Sequence, residues 1–127
     1  LHVAIWPGGE HNTRALTRFI PREGRSFVIS VSGLMRRADV GPDVSQRELL
    51  LASLPEMPAN GASCIAAPDG SWLVEPVVGE ERVIVATVDH GLVRRERQNF
   101  DPAGHYARPD VTRLVVNRQR QRTVGEG

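Results

Sequence analysis

The sequence predicts an α/β fold. Three observations carry that expectation. Apolar runs of strand length recur along the chain, three intervening stretches read as helices with capping residues, and Pro, Gly, Asn and Asp mark the boundaries. The order they give is strand, helix, strand, short helix, hairpin, strand, helix, strand.

Leu1 to Trp6 is a nearly continuous apolar run that stops at Pro7-Gly8-Gly9. Apolar residues on both faces predict a strand covered on both sides. Asn12 or Thr13 can cap the helix that follows, in which Leu16, Phe19 and Ile20 share a face. Pro21 lacks an N–H and crowds the preceding turn, so a kink or early end is expected there, with Gly24 as a stop. Ser26 to Ser32 reads as the second strand, with Phe27, Ile29 and Val31 on one face. Gly33 to Val44 is irregular and holds Arg36-Arg37.

Ser45-Gln46-Arg47-Glu48 has the form of a capping box, and a short helix from Leu49 to Leu54 ends before Pro55 and Pro58. Ala62–Ala67 and Trp72–Glu75 flank Pro68-Asp69-Gly70, the chemistry of a hairpin turn. Arg82 to Val88 is expected to be another strand. Asp89 can cap a helix reaching about Asn99. A loop with Pro102, Gly104 and Pro109 leads to a last strand, Val111 to Val116. Residues 1–116 read as part of one domain, and 117–127 as a polar, Arg-rich tail that frays.

Composition removes several function classes. A formal net charge of +1, with 24% charged residues, exerts no general pull toward nucleic acid or membrane. No apolar run is long enough to span a bilayer, and no secretory signal opens the chain. The single cysteine, Cys64, excludes an intrachain disulfide and points to a reducing, cytoplasmic setting. The four histidines lack metal-ligand spacing, so neither metal nor cofactor is expected. All 16 basic residues are Arg, so chemistry that needs an amine cannot run on this chain alone. The chain opens Leu1-His2-Val3 in mid-strand and without Met, as a piece of a longer polypeptide would.

Four stretches resemble the nitrilase branch of the carbon–nitrogen hydrolases. They are Leu1-His2-Val3-Ala4-Ile5-Trp6-Pro7-Gly8, Arg22 to Ser30, Gly61-Ala62-Ser63-Cys64-Ile65 with Pro68-Asp69-Gly70, and Asp89 to Val111. The last contains Arg95-Glu96-Arg97-Gln98, Phe100-Asp101 and Gly104-His105-Tyr106-Ala107-Arg108-Pro109-Asp110, the most specific segment. Pro21 departs from the family, whose members usually carry a helix former there. The resemblance implies the C-terminal part of a four-layer α-β-β-α sandwich. It also implies a Glu-Lys-Cys catalytic set, supported by a second Glu, in which Cys attacks a nitrile carbon to give a thioimidate. Lys steadies the charged adduct, Glu moves protons, and water releases ammonia and a carboxylic acid. In the family the nucleophile lies just before the segment equivalent to Leu1-His2-Val3, and the Lys and both Glu lie further upstream. The resemblance thus implies scaffold, one pocket wall and oligomer surfaces for this chain, and no catalytic residue.

Trp6 and Pro7 end the first strand, where ligands gather in α/β sheets, and the resemblance places them as pocket lining. Ser30 and Ser32 end the next strand and are candidates for the same pocket, although strand-end hydroxyls often just satisfy backbone groups. Cys64 is a tempting nucleophile with His90 and His105 as partners, but a free Cys inside a strand behaves as a small hydrophobe. His105, Tyr106 and Arg108 read as loop packing or an oligomer interface. Arg94, Arg95, Arg97, Arg118, Arg120 and Arg122 have no interleaved aromatics and read as a solvated face and tail, not a nucleic-acid site. The expected function is that of a nitrilase part acting on a small nitrile within a homo-oligomer, with no nucleic-acid or membrane partner. The alternatives are a cyanide-hydrolysing or amidase relative, or a non-catalytic chain serving only in oligomerisation. Alone, with apolar strand edges unpaired, the chain is expected to be poorly soluble or dimeric.

Overall fold

The first strand, β1 (His2–Trp6), passes through Pro7-Gly8-Gly9 into helix α1 (Glu10–Gly24), which returns the chain to strand β2 (Val28–Ser32) parallel to β1. The computed structural model describes residues 1–101 and 103–119. A two-residue strand β3 (Leu34–Met35), a 3-10 turn (Arg37–Asp39) and helix α2 (Arg47–Ser53) follow. Strands β4 (Ala59–Ala66) and β5 (Trp72–Val78) form the hairpin, and helix α3 (His90–Asn99) comes last. The sheet runs β1-β2-β4-β3, with β5 also paired to β4, and every pairing except β1–β2 is antiparallel. Among the described residues the result is a mixed α/β fold with one five-stranded sheet and three α-helices. No helix among the described residues is long and apolar enough to cross a membrane.

Helix α1 lies across β2 and β4. Its buried positions are Thr13, Thr17 and Pro21, four residues apart and therefore on one face. Opposite them the sheet presents Ala4, Val28, Ser30, Ser32, Cys64 and Ala66, which the register places on a common face. Small side chains on both layers bring helix and sheet close, and hydroxyls pair across the contact. The expected stripe of Leu16, Phe19 and Ile20 is not the packed face: Leu16 and Phe19 are exposed. Likewise β2 turns Val28, Ser30 and Ser32 to the helix, leaving Val31 exposed, while Phe27 precedes the strand and packs with Ala67 and Val93.

Pro21 does not end α1. It lies one turn from the end, its ring is buried, and the backbone N–H groups of Arg25 and Ser26 donate to its carbonyl. Arg25, not Gly24, takes the left-handed position that closes the helix, at φ 46°. At the other end neither Asn12 nor Thr13 caps the helix; it starts three or four residues earlier, at Glu10 after Gly9. The capping box at Ser45 does not form either. Gln46 is left-handed there, and Arg47 Nε is anchored on the carbonyl of Val40. The hairpin is as expected, with Gly70 at φ 83° and its N–H on the carbonyl of Ala67. Asp89 caps α3 by accepting from the N–H of Gly91 at 2.8 Å.

Three strand expectations are corrected. β1 is covered on one face only: Ala4 is buried, but Val3 and Ile5 are 58% and 82% exposed. Residues 82–88 and 111–116 form no strand, and Val83, Val85, Leu114 and Val115 stand in solvent. Their strand propensity is real, but neither run meets a free sheet edge among the described residues, and an unpaired strand has no stability of its own. Of the tail and its basic residues, Arg118 is exposed, while Arg120, Arg122 and everything from residue 120 lie outside the described residues, as does Pro102.

Candidate functional site

The C-terminal ends of the two parallel strands meet the start of α1, and the chain is held there by a set of close backbone contacts. Gly33 N–H donates to the carbonyl of Trp6, and Gly61 N–H donates to that of Gly33. Gly8, at φ 122°, is pressed so closely on its neighbours that a Cβ there would sit 2.5 Å from Ala59 Cβ and 2.7 Å from the Gly33 carbonyl oxygen. The first helical N–H of α1, that of Glu10, donates to Asn60 Oδ1 at 2.9 Å. Helix starts carry unpaired N–H groups, and here a side chain on β4 caps one across 50 residues. Asn60 was not singled out in the sequence, because no local pattern marks a cap supplied from another element.

Below this junction lies a cluster of buried hydroxyls between α1 and the sheet. Trp6 Nε1 donates to Ser30 Oγ at 3.2 Å, and Ser30 Oγ lies 2.6 Å from Thr17 Oγ1. Thr13 Oγ1 donates to the carbonyl of Gly9 at 3.0 Å and is 3.5 Å from Ser32 Oγ. The N–H of Ser32 donates to Ser63 Oγ at 3.0 Å. Thr13, Thr17, Ser30 and Ser32 are all buried, Trp6 is half-buried, and Pro7 is exposed. Trp6 therefore lies beside both serines, hydrogen-bonded to Ser30 and in register with Ser32 across β1 and β2. The two serines engage threonines of α1 on the buried side. The threonines were missed because a mid-helix Thr carries no outward signal of a partner on a sheet.

Cys64 belongs to the same layer, one row from the helix and 1% exposed. Burial pushes its thiol above the usual range, and the neighbouring hydroxyls of Thr17 and Ser30 and the charge of Arg14 only partly offset this. A nucleophilic Cys needs access and a lowered pKa, and Cys64 has neither. His90 and His105 are not among its hydrogen-bond partners.

His105, Tyr106 and Arg108 lie in a separate place. Val93 of α3 packs on Phe27 and Ala67, at the start of β2, and so at the opposite end of the parallel strands from Trp6. Phe100 follows α3, and Tyr106 stacks on it at 5.2 Å and on His105 at 4.2 Å. Asp101 organises the turn by accepting from the N–H groups of Ala103 and Gly104. Arg108 forms a bidentate pair with Asp110, which holds that carboxyl below the usual range. Arg25 ties the region to α1: its guanidinium pairs with Glu96 at 3.0 Å and lies over the ring of Phe100. Among the described residues no cluster of three or more His, Cys, Asp or Glu could hold a metal.

No family model matches the chain. It is 32% identical over 135 residues to a nitrilase of Talaromyces marneffei and 35% identical over 138 residues to a nitrilase of Pseudomonas syringae pv. syringae. Each match takes in 92% of this chain, but 40% and 38% of those proteins respectively, so the chain spans about two fifths of their length. It is also 34% identical over 106 residues to a nitrilase-like protein of Saccharomyces cerevisiae, covering 77% of this chain and 89% of that protein.

Proposed function

The chain belongs to the nitrilase family, and on that premise we propose that it is the C-terminal part of an enzyme that hydrolyses a small organic nitrile to a carboxylic acid and ammonia. Cys64 carries the reading that the reacting groups lie elsewhere. It is the sole thiol of the chain, it is buried beneath α1 with its pKa raised, and no Lys accompanies it anywhere in the sequence. The Glu-Lys-Cys set expected of the family then lies in residues preceding Leu1. This chain supplies scaffold and the pocket wall at the end of β1, where Trp6 and Pro7 line the opening and Ser30 and Ser32 support it from beneath.

In this reading residues 1–116 complete a four-layer α-β-β-α sandwich. The exposed Val3, Ile5 and Val31 support it, because in register they form an apolar sheet face suited to a second sheet. His105, Tyr106 and Arg108 then contribute to assembly between copies, with the polar segment 117–127 beyond them.

A second reading is favoured by the yeast relative, most of whose length this chain covers. A chain of this size could serve alone, without a catalytic set, as an assembly partner. The residues encoded just before Leu1 separate the two: a Cys followed by Trp-Glu there sinks the non-catalytic reading. Ammonia release is then measured from a panel of nitriles, cyanide and amides, with this chain beside the longer polypeptide. Release by the longer polypeptide alone supports the proposal, and the preferred member of the panel names the substrate class. Release by the isolated chain overturns it and returns attention to Cys64.

A further inference from the structure

Ser30 is the hub of the buried hydroxyl cluster. Its Oγ receives the indole N–H of Trp6, and the indole nitrogen can only donate, so Ser30 is the acceptor in that contact. One proton and one lone pair remain to Ser30, and the nearest partner is Thr17 Oγ1 at 2.6 Å. Both hydroxyls are buried, 1% and 0% exposed, so each has to be satisfied within the protein. Thr17 is β-branched and sits in the middle of α1, where few side-chain rotamers are open to it. The position of the helix therefore fixes Thr17, Thr17 fixes the hydroxyl of Ser30, and Ser30 fixes the edge of the Trp6 ring.

We infer that Thr17 is a positioning residue, acting through Ser30 to hold the Trp6 indole in one orientation at the end of β1 and so to set which nitrile side chains fit there. The first step rests on the distances alone; the last rests on the pocket proposed above. Thr17→Val keeps the shape and removes the hydroxyl, Ser30→Ala removes the acceptor, and Thr17→Ser restores a hydroxyl in a smaller side chain.

The test has two arms. In the 127-residue chain carrying Trp72→Phe, Trp6 is the only indole left. Its N–H is followed by NMR, with circular dichroism as the control for folding. Thr17→Val and Ser30→Ala are expected to speed indole N–H exchange about tenfold, the scale of one lost hydrogen bond, and Thr17→Ser to return it toward the parent. An exchange rate indifferent to both removals, in folded protein, overturns the inference. In the longer polypeptide the ratio of kcat/KM between a bulky aromatic and a slim aliphatic nitrile is expected to move about tenfold in Thr17→Val, mainly through KM, and to recover in Thr17→Ser. If the longer polypeptide hydrolyses no nitrile, the nitrilase proposal fails while the indole measurement still decides the positioning of Trp6. If nitriles are hydrolysed and the indole loosens with selectivity unchanged, the role of Thr17 in selectivity is overturned and the nitrilase proposal stands.

Discussion

Between Leu1 and Val78 each predicted strand finds a hydrogen-bonded neighbour, whereas between Glu80 and Gln119 the two predicted strands, 82–88 and 111–116, find none among the described residues. Both regions hold β-branched and apolar residues in similar density. They differ in what the chain offers them. β1 and β2 are brought together by α1, and β4 and β5 by a tight turn, so each strand meets an edge within reach. Residues 82–88 leave β5 through a bend at Gly79 and return beside β2 and β4, where Ile84 is half-buried, without reaching an edge to pair with, and α3 then draws the chain to the far end of the sheet by packing Val93 on Phe27. Strand propensity expresses itself only where an edge is presented, which is why it depends on context more than helix propensity does.

The contrast can be tested by substitution. The largest effect is expected at Gly8→Ala in the first region, where a positive φ and a Cβ only 2.7 Å from a backbone oxygen would force the junction apart. A loss of about 3 kcal/mol in chemical denaturation is expected. Gly41→Ala, with nothing within 4 Å of the added carbon, should stay within about 0.5 kcal/mol of the parent.

Val28→Ala, at a wholly buried site on β2, should cost about 2 kcal/mol, and Val85→Ser, at a site 84% exposed, less than about 0.5 kcal/mol. A Val85→Ser cost equal to that of Val28→Ala would show that residues 82–88 are packed in solution and would break the comparison. Arg25→Ala tests the joint between the regions. It removes the partner of Glu96 in a pair whose side chains are about one-fifth exposed, and a cost of about 1–2 kcal/mol is expected, with hydrogen exchange rising in α3 before α1.

The smallest effect concerns Asp89. The N–H of Gly91 holds its carboxyl below the usual range, with Arg95 adding to this. Because the folded pKa is lowered, the cap contributes above the ordinary carboxylate range and is lost as pH falls through the folded value. The first turn of α3 should therefore fray in acid, seen as faster exchange at Gly91, and Asp89→Ala should abolish that pH dependence.

Much of the first region was legible because its signals are local. Pro68-Asp69-Gly70 specifies its own turn, Asp89 its own cap, and the spacing from Trp6 to Pro7-Gly8-Gly9 the end of a strand. The packed face of α1 was not legible. Hydrophobicity selects Leu16 and Phe19, yet the helix buries Thr13 and Thr17 because the sheet below offers hydroxyls and small residues that only a small polar face can approach. The cap on Glu10 was hidden for a related reason, since Asn60 becomes its neighbour only after β4 is in place. In the candidate site, Trp6, Ser30 and Ser32 were visible from strand ends, while Thr13, Thr17 and Asn60 came into view only with the packing.

The Asn60 cap also bears on the order in which the chain assembles. Helix α1 has no side-chain cap of its own and carries a proline in its last turn, so as an isolated segment it would gain little from forming. Its first turn is completed by a residue 50 positions away, on a strand that itself needs β2 as a neighbour. The helix therefore gains its full stability late, when a long loop has already closed, and its formation is tied to the slowest kind of contact a small domain makes. A peptide spanning residues 10–24 should be largely unstructured in water, and the commitment of α1 in the full chain should track the docking of β4.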